Sequence, residues 1–505
     1  MAGIGSRIAF RKKVAKAPSI KRNFIANAAM TTLNFLVPLL TFPYVSRVLG
    51  PEGIGRVGFA LSVVANFSMF ACLVGTIYGT REIARSRNDK KQLDIVFSEL
   101  FILHSSANIL ALLFFILTVL SVGQFRLELP IFLVASGYLL ASALGIDWLY
   151  QGLESYGFIF FRNLAAKLIS VLLLFLLVTG PKEVVSYTLV SISALLVGNV
   201  WNLIGSIGRV RFTLHGIKPF RHLRGISTFY VISIFTVLSV NVDKTIIGLV
   251  AGTAALGLYS LADKVVFIGV SITSSLSVVI LPRVAYAFAN NDLDELHRGL
   301  RLSWKFALFL ALPLAIGTGL MSPDIVELFG GPRFIAASIP LALLSVNIFS
   351  ITMAYIFGVQ VLCARGKEAH YLMTLAMGVG TMLIGMLILT PRFGIAGSAL
   401  AMVLSYAVQA VSQFVLAREH LRGVMIFRED YRFLLSSLAM LGAVASIRLI
   451  PGFSLLEPVF RLAFGASCGI GVYFIALLFF KEPLAQRAAE HARGMITRPF
   501  MGTPK

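Results

Sequence analysis

The stretch that decides the fold runs from Ile95 to Ser121 and reads IVFSELFILHSSANILALLFFILTVLS. Glu99 is the only charged residue in it. A helix of about 20 apolar residues crosses a hydrocarbon core of ~30 Å. This stretch is therefore long enough and apolar enough to span a bilayer as an α-helix.

Comparable stretches recur from end to end of the 505 residues, of which 57% are hydrophobic and 13% charged. A soluble chain has about 25% charged residues. The sequence therefore predicts an all-α polytopic membrane protein with about fourteen transmembrane helices. The predicted spans are approximately 24–46, 56–79, 95–121, 129–150, 158–179, 184–205, 225–250, 256–281, 303–329, 335–363, 370–390, 394–417, 432–450 and 457–480. We expect the first to be a retained helix rather than a cleaved signal.

Basic residues orient the helices. The chain holds 44 basic and 23 acidic residues, and most of the basic ones fall in the connections between spans. The two tails and every second connection, which are predicted to lie on one side of the membrane, together hold 33 basic residues. The connections on the other side hold seven. Because basic residues are retained on the cytoplasmic side, both termini are predicted to be cytoplasmic. The charge therefore indicates topology, and we expect no nucleic-acid partner.

An internal repeat divides the chain. Gly50 and Gly55 recur as Gly252 and Gly257, 202 positions later and again in a turn between two spans. Parallel repeats of this kind are typical of some transporters, with the substrate path between the two lobes. The predicted units are a basic cytoplasmic tail (1–23), an N-terminal six-helix lobe (24–205), a cytoplasmic linker (206–224), a C-terminal six-helix lobe (225–417), two extra helices (418–480) and a cytoplasmic tail (481–505).

The connections are too short to hold a soluble catalytic domain, and no phosphate-binding G-x-x-x-x-G-K-[ST] loop is present. We therefore expect a transporter with no catalytic residues, cofactor or metal. Cys72, Cys363 and Cys468 lie in or beside apolar spans without a ligand-like spacing. We expect them to be free thiols.

Charges inside the spans are the candidate site. Each costs roughly 2.5–3.5 kcal/mol at a helix centre, so it needs a partner or a wet cavity. Asp243 and Lys244 precede the turn near position 253 by ten residues, and Asp263 and Lys264 follow it by ten. In an antiparallel hairpin both doublets reach the same depth. They either pair structurally or leave a lysine facing a cavity, where it would attract an anionic headgroup.

A second pair of charges, Asp147 and Lys167, is symmetric about residue 157 on the cytoplasmic side. Pairing and a cavity role are again both open. Arg47 and Arg81 lie at span ends, where snorkelling to the interface is an alternative to contact with substrate. The carboxylates of Asp147, Asp243 and Asp263 are candidates for ion coupling or for ion pairing.

Several segments are similar to the Wzx-type polysaccharide flippases. They are VSRVLGPEGIGRVGFA (Val45–Ala60), GTREIAR (Gly79–Arg85), DWLYQGLE (Asp147–Glu154), NVDKTIIG (Asn241–Gly248) and GLYSLADK (Gly257–Lys264). The chain resembles this family over its first 265 residues, and the C-terminal third resembles it in helix pattern alone. Many Wzx-like members have twelve spans, and the two extra helices here resemble the additional pair of the lipid II flippase branch, which forms a groove for the lipid tail.

The resemblance implies a member of the multidrug/oligosaccharidyl-lipid/polysaccharide exporter superfamily in the bacterial inner membrane, with two lobes around a central cavity. Its cargo would be an undecaprenyl-diphosphate-linked oligosaccharide, flipped for surface polysaccharide assembly. Expected partners are that lipid-linked glycan, membrane lipids, and a polysaccharide polymerase and chain-length regulator. Two alternatives stay open: an ion-coupled multidrug exporter of the same superfamily, and a non-transporting subunit of a polysaccharide synthase complex.

Overall fold

The computed structural model describes residues 20–71, 74, 76–422, 424, 427–486 and 490. Cys72 and most of the two predicted tails (1–19, 487–489 and 491–505) lie outside the described residues. Cys363 and Cys468 are free thiols, as predicted. The described chain is almost wholly helical, with no strand longer than an isolated bridge. The predicted all-α class is therefore confirmed.

The helices are α1 Ile20–Ala71, α2 Thr76–Ser86, α3 Lys90–Ser121, α4 Gly123–Leu127, α5 Leu129–Ala143, α6 Asp147–Gly152, α7 Tyr156–Leu177, α8 Val184–Ser206, α9 Leu223–Val250, α10 Thr253–Asn290, α11 Leu293–Leu320, α12 Ser322–Gly330, α13 Ser338–Leu344, α14 Val346–Ala354, α15 Glu368–Ala417, α16 Phe427–Arg448 and α17 Pro458–Phe479. Short 3-10 helices span Pro219–His222, Pro332–Ala337 and Phe453–Leu455, and a π-helix spans Tyr355–Cys363.

Within the described ranges, twelve helices are long and apolar enough to cross a membrane. The difference from the predicted fourteen lies in α1 and α15, of 52 and 50 residues, each of which joins two predicted spans. A straight helix of that length would measure about 75 Å, far more than a bilayer core. Both are bent at a glycine with positive φ, Gly50 at 69° and Gly394 at 56°. It remains a prediction that α1 and α15 each cross the membrane twice. The grouping of the spans into two lobes also remains a prediction.

Contacts inside α15 show how it bends. The Ser405 hydroxyl donates to the Gly378 carbonyl oxygen at 2.7 Å, and the Gln413 amide donates to the Thr374 hydroxyl at 3.2 Å. Both pairs are nearly symmetric about Gly394. The two halves of α15 therefore run antiparallel, which places their polar side chains against each other rather than in lipid.

The repeated turns pack directly on one another. A β-carbon on Gly55 would lie only 1.6 Å from the carbonyl oxygen of Thr253, at the start of α10. Glycine is therefore required there for α1 and α10 to touch backbone to backbone. The Thr253 hydroxyl also donates to Glu52 at 2.7 Å. This contact joins the first half of the repeat to the second at their predicted outer ends.

One membrane helix is broken, between α5 and α6. A break leaves carbonyl groups without their helical partners, which is costly in a bilayer unless side chains replace them. Three side chains do so here: Asn199 donates to Ala141 O (2.7 Å), His104 Nε2 lies 2.8 Å from Ser142 O, and Ser105 donates to Ala143 O (2.8 Å). The capped break allows Asp147 to begin a new helix.

The two C-terminal helices are fixed to the bundle by ion pairs. Asp324 on α12 is 1% exposed and contacts both Arg448, at the end of α16, and Arg461, on α17, the latter at 3.2 Å. Arg461 also pairs with Glu327 at 2.5 Å. The charge of Arg461 is therefore neutralised inside the protein.

Candidate functional site

The candidate site is a cavity of about 410 Å³ between α1, α7, α8, α9 and α10. Residues from both halves of the bent α1 line it, including Pro38 and Ser62, because α1 turns back at Gly50. Lys244, Asp263 and Lys264 line the same cavity. Three of the four charges predicted near the α9–α10 turn therefore reach one space.

The fourth, Asp243, lies behind this cavity and is 1% exposed. Tyr259 donates a hydrogen bond of 3.1 Å to its Oδ2 atom. Lys244 Nζ lies 3.9 Å from Asp243 Oδ1 and 3.0 Å from Asp263 Oδ2. The two doublets are thus in contact, as the antiparallel hairpin requires, and the two carboxylates compensate the charge of Lys244.

Lys264 has a different environment. Its Nζ atom lies 4.0 Å from the centroid of the Phe42 ring, a cation–π geometry. Among the described residues, no carboxylate forms an ion pair with this ammonium group. A neutral aromatic face orients the lysine without cancelling its charge. Lys264 is therefore the cavity-lining lysine that has no ion pair among the described residues.

Asp147 pairs with Arg162 and not with Lys167. Arg162 Nη1 lies 2.5 Å from Asp147 Oδ1, and Asn202 donates to the same oxygen at 2.7 Å. The α6–α7 turn is centred near Glu154, which has a φ of 56°, rather than at position 157. The residue at the matching depth is therefore Arg162, and Lys167 lies more than a helical turn further along α7.

Arg162 is the partner of Asp147 that the sequence reasoning missed, because it was counted with the basic residues of the cytoplasmic connection although it lies inside the predicted span 158–179. Its side chain is 3% exposed. Lys167 lies close to the cavity, since Ser170, three residues later on the same helix, lines it. Asp147 could have revealed Arg162 from the sequence, because a carboxylate in a predicted span needs a basic partner at the same distance from the turn.

The remaining two predicted cations lie elsewhere. Arg47 donates to the carbonyl oxygen of Leu328 at 2.8 Å, near the turn of α1. Arg81, on α2, lies over the Tyr78 ring at 5.2 Å and pairs with Glu82 at 3.3 Å. Neither arginine lines the cavity, so the structure places them at the two ends of the molecule.

A bundle of membrane-crossing helices around a cavity with buried ion pairs defines a polytopic membrane transporter. Two family models identify which kind. The model described as "Polysaccharide biosynthesis protein" matches residues 20–288, and "Lipid II flippase MurJ" matches residues 155–466. The chain belongs to the polysaccharide biosynthesis protein family, within the multidrug/oligosaccharidyl-lipid/polysaccharide exporter superfamily.

Individual proteins agree with this assignment. The chain is 25% identical to "Putative O-antigen transporter" of Escherichia coli (strain K12), over 70% of this chain and 86% of that protein. It is also 25% identical to "Probable low-salt glycan biosynthesis flippase Agl15" of Haloferax volcanii, over 59% and 62% of the two chains. The solved structure "Lipid II flippase MurJ, inward closed conformation" superimposes with a TM-score of 0.72 at 13% identity, over 92% of this chain and 100% of that one. That likeness shows the fold.

Proposed function

We propose that this protein flips a lipid-linked oligosaccharide across the bacterial inner membrane for surface polysaccharide assembly. The observation that carries the proposal is the ammonium group of Lys264, which faces the cavity without a carboxylate partner among the described residues. The names of the relatives, an O-antigen transporter and a glycan biosynthesis flippase, support the same cargo class.

The cavity suits an anionic headgroup such as the diphosphate of an undecaprenyl-linked glycan. Lysine binds phosphate as a point charge, and its attraction is strong where water is scarce. Lys244 contributes less, because Asp243 and Asp263 share its charge. Asn241 and Ser260 also line the cavity and can bond to phosphate or sugar oxygens.

The apolar tail of such a cargo needs a path through lipid or along the protein. A second cavity of about 420 Å³ lies between α10, α11, α16 and α17. On the α17 side the cavity is lined by Gly465 and Gly469, which leave space because they have no side chain. Pro313 and Tyr473 also line it. Its walls are apolar, which suits a polyprenyl chain. We assign the tail to this cleft, in line with the resemblance of α16 and α17 to the extra helices of the lipid II flippases.

Alternating access requires that the α1–α10 contact at Gly55 and Thr253 opens and closes. In the described conformation it holds the two repeats together at the predicted outer end. The cargo would enter while this contact is closed, and the sugar would leave after it opens. Asp243 and Asp263 are the candidate coupling carboxylates, because protonation or a cation at either would release Lys244.

The proposal also places both termini in the cytoplasm and allows contact with a polymerase and a chain-length regulator. A multidrug exporter of cationic compounds would need an acidic cavity, whereas the cavity-lining charge without an ion pair among the described residues is that of Lys264. A non-transporting synthase subunit would have no need for a cation in a cavity between the two repeats.

The test is the accumulation of lipid-linked oligosaccharide in a depletion strain, resolved by mass spectrometry. Loss of the wild-type protein should cause an undecaprenyl-diphosphate glycan to build up on the cytoplasmic leaflet. Lys264→Gln should fail to clear it, and Lys182→Gln, an exposed lysine in a connection, should clear it fully. No accumulation, together with a rise in drug sensitivity, would contradict the proposal and favour a drug exporter.

A further inference from the structure

The segment between α8 and α9, residues 207–222, has features that transport does not explain. We call it the strap. Its two ends continue directly from membrane-crossing helices, since α8 ends at Ser206 and α9 begins at Leu223. The strap therefore runs at the membrane surface. The basic-residue count predicts that this surface is the cytoplasmic one.

The strap is fixed to the N-terminal part of the protein. Three of its backbone N–H groups donate to side chains of α3: Arg211 to Asp94 Oδ1 (2.8 Å), Thr213 to Ser98 Oγ (2.9 Å) and Lys218 to Glu99 Oε1 (2.6 Å). Such bonds replace the strand or helix partners that an irregular segment lacks. They hold the strap in one position, although most of it has no regular secondary structure.

Glu99 anchors the end of the strap. Its carboxylate is fully buried and lies 2.6 Å from Arg221 Nη2 and 2.9 Å from His222 Nε2. The other ring nitrogen of His222 lies 2.8 Å from the Tyr78 hydroxyl on α2. Breaking a buried charged contact is costly, so the strap moves with α2 and α3.

The fixed strap exposes several large apolar side chains. Four large side chains project from it with most of their surface exposed: Ile207 (78%), Phe212 (53%), Leu214 (67%) and Phe220 (77%). A bilayer interface accommodates such side chains at the boundary between headgroups and acyl chains. Their clustering on a segment pinned from behind indicates a surface built to contact lipid.

The charge of the strap is complementary to anionic lipid. Residues 207–222 hold four basic residues and no acidic one, and Arg224 follows on the first turn of α9. Arg209 lies over the rings of Tyr150 and Phe158, and Arg221 pairs with Glu99. Arg211, Lys218 and Arg224 are exposed, and in the described chain no ion pair involves their side chains.

We infer that the strap is a lipid-binding surface that inserts its apolar side chains into the cytoplasmic leaflet and holds anionic phospholipid headgroups with Arg211, Lys218 and Arg224. Each basic residue near such a surface strengthens binding by about fivefold. The strap would thereby anchor the N-terminal repeat in the membrane while the C-terminal repeat moves. This inference is independent of the transported cargo.

Spin labelling of the full-length protein tests the apolar part. Phe212→Cys and Phe220→Cys are each labelled with a nitroxide in a variant whose native cysteines are replaced, and reconstituted in bilayers containing phosphatidylglycerol. Both labels should collide more often with oxygen than with a water-soluble nickel chelate. A label at Lys91→Cys, an exposed site at the start of α3, should show the reverse. Strap labels as water-accessible as the Lys91 label would overturn the inference and leave the strap as a surface for another protein.

A charge variant tests the headgroup part. The triple change Arg211→Gln, Lys218→Gln and Arg224→Gln should lower the preference for spin-labelled phosphatidylglycerol over phosphatidylcholine by about fivefold or more, at least the contribution of one such residue. The matched control removes three other exposed arginines, Arg283, Arg418 and Arg422, and should retain the preference. An equal change in both triple variants would contradict a specific role of the strap. Neither experiment measures transport, so its outcome is separate from the proposed function.

Discussion

Gly257 on α10 packs against the carbonyl oxygen of Pro51 on α1 so closely that a β-carbon at position 257 would lie 1.8 Å from that oxygen. In the same way, Gly55 on α1 packs against the carbonyl oxygen of Thr253 on α10. In the repeat, Gly55 corresponds to Gly257 and Pro51 corresponds to Thr253, so the two contacts are equivalent with the helices exchanged. The two turns therefore meet with approximate twofold symmetry. This contact brings the two repeats together backbone to backbone at the predicted outer end, and its glycines make the contact possible.

Gly257→Ala should weaken that contact. The added methyl group must push the backbones apart, and overpacking of this kind costs about 1–3 kcal/mol. We expect lower thermal stability in detergent and faster labelling of a cysteine at Ser62, in the cavity, by a maleimide added from the periplasmic side. Gly380→Ala, in a helix where an added β-carbon meets no atom within 4 Å, is the matched control and should change neither. Unchanged labelling in Gly257→Ala would mean that the contact does not close the outer end.

Lys244 and Lys264 should respond differently to removal of their charge. Lys244→Met leaves Asp243 and Asp263 without their shared cation, and breaking a buried ion pair costs roughly 3–5 kcal/mol. We expect a clear loss of thermal stability. Lys264→Met, whose partner is the Phe42 ring, should lose transport with a change in stability below about 1 kcal/mol. The double variant Lys244→Met with Asp263→Asn should recover part of the stability. Equal destabilisation by the two single variants would contradict the assigned environments.

Removing the charge of Asp147 should cost more stability than removing Arg162. Its guanidinium is 3% exposed, whereas the Asp147 side chain is 46% exposed and also bonds to Asn202. Arg162→Met leaves a carboxylate that water still reaches, but Asp147→Asn leaves a buried cation with a weaker partner. We therefore expect Asp147→Asn to lower the melting temperature, and Arg162→Met with Asp147→Asn to restore much of it. A double-mutant cycle on purified protein measures the coupling energy. Additive effects would show that the pair does not interact.

Asn199 should hold the broken helix together. Its amide donates to the Ala141 carbonyl oxygen, whose backbone partner, the Leu144 N–H group, lies at a longer 3.3 Å, and a hydrogen bond of this kind contributes about 0.5–1.5 kcal/mol. Asn199→Leu should therefore lower the folded yield and thermal stability in detergent. Asn290→Leu, an exposed asparagine at the end of α10, is the control and should have little effect. Equal stability of the two variants would contradict the cap.

Local sequence rules predicted some of these features and not others. The contact between Lys244 and Asp263 followed from their equal distance from a glycine turn, because a hairpin fixes depth. The same rule failed for Asp147, since the turn lies near Glu154 and the span boundary was misplaced by a few residues. The position of Phe42 under Lys264 depends on how closely α1 approaches α10, which is a property of tertiary packing. Gly50 was predicted to lie in a turn, and the chain bends at Gly50 and again at Gly394, where the backbone leaves helical geometry.

The central claim is that this chain moves a lipid-linked oligosaccharide with Lys264 as the cavity cation. The most direct test is purified protein in liposomes that contain the lipid-linked oligosaccharide, with an impermeant glycosidase outside to report glycan crossing from the inner leaflet. Wild-type protein should make the inner pool accessible, Lys264→Arg should retain part of the rate, and Lys264→Gln should reduce it about tenfold or more, the loss of ~1.4 kcal/mol of binding. Glycan crossing by the wild type at the rate of protein-free liposomes, or by Lys264→Gln at the wild-type rate, would contradict the account.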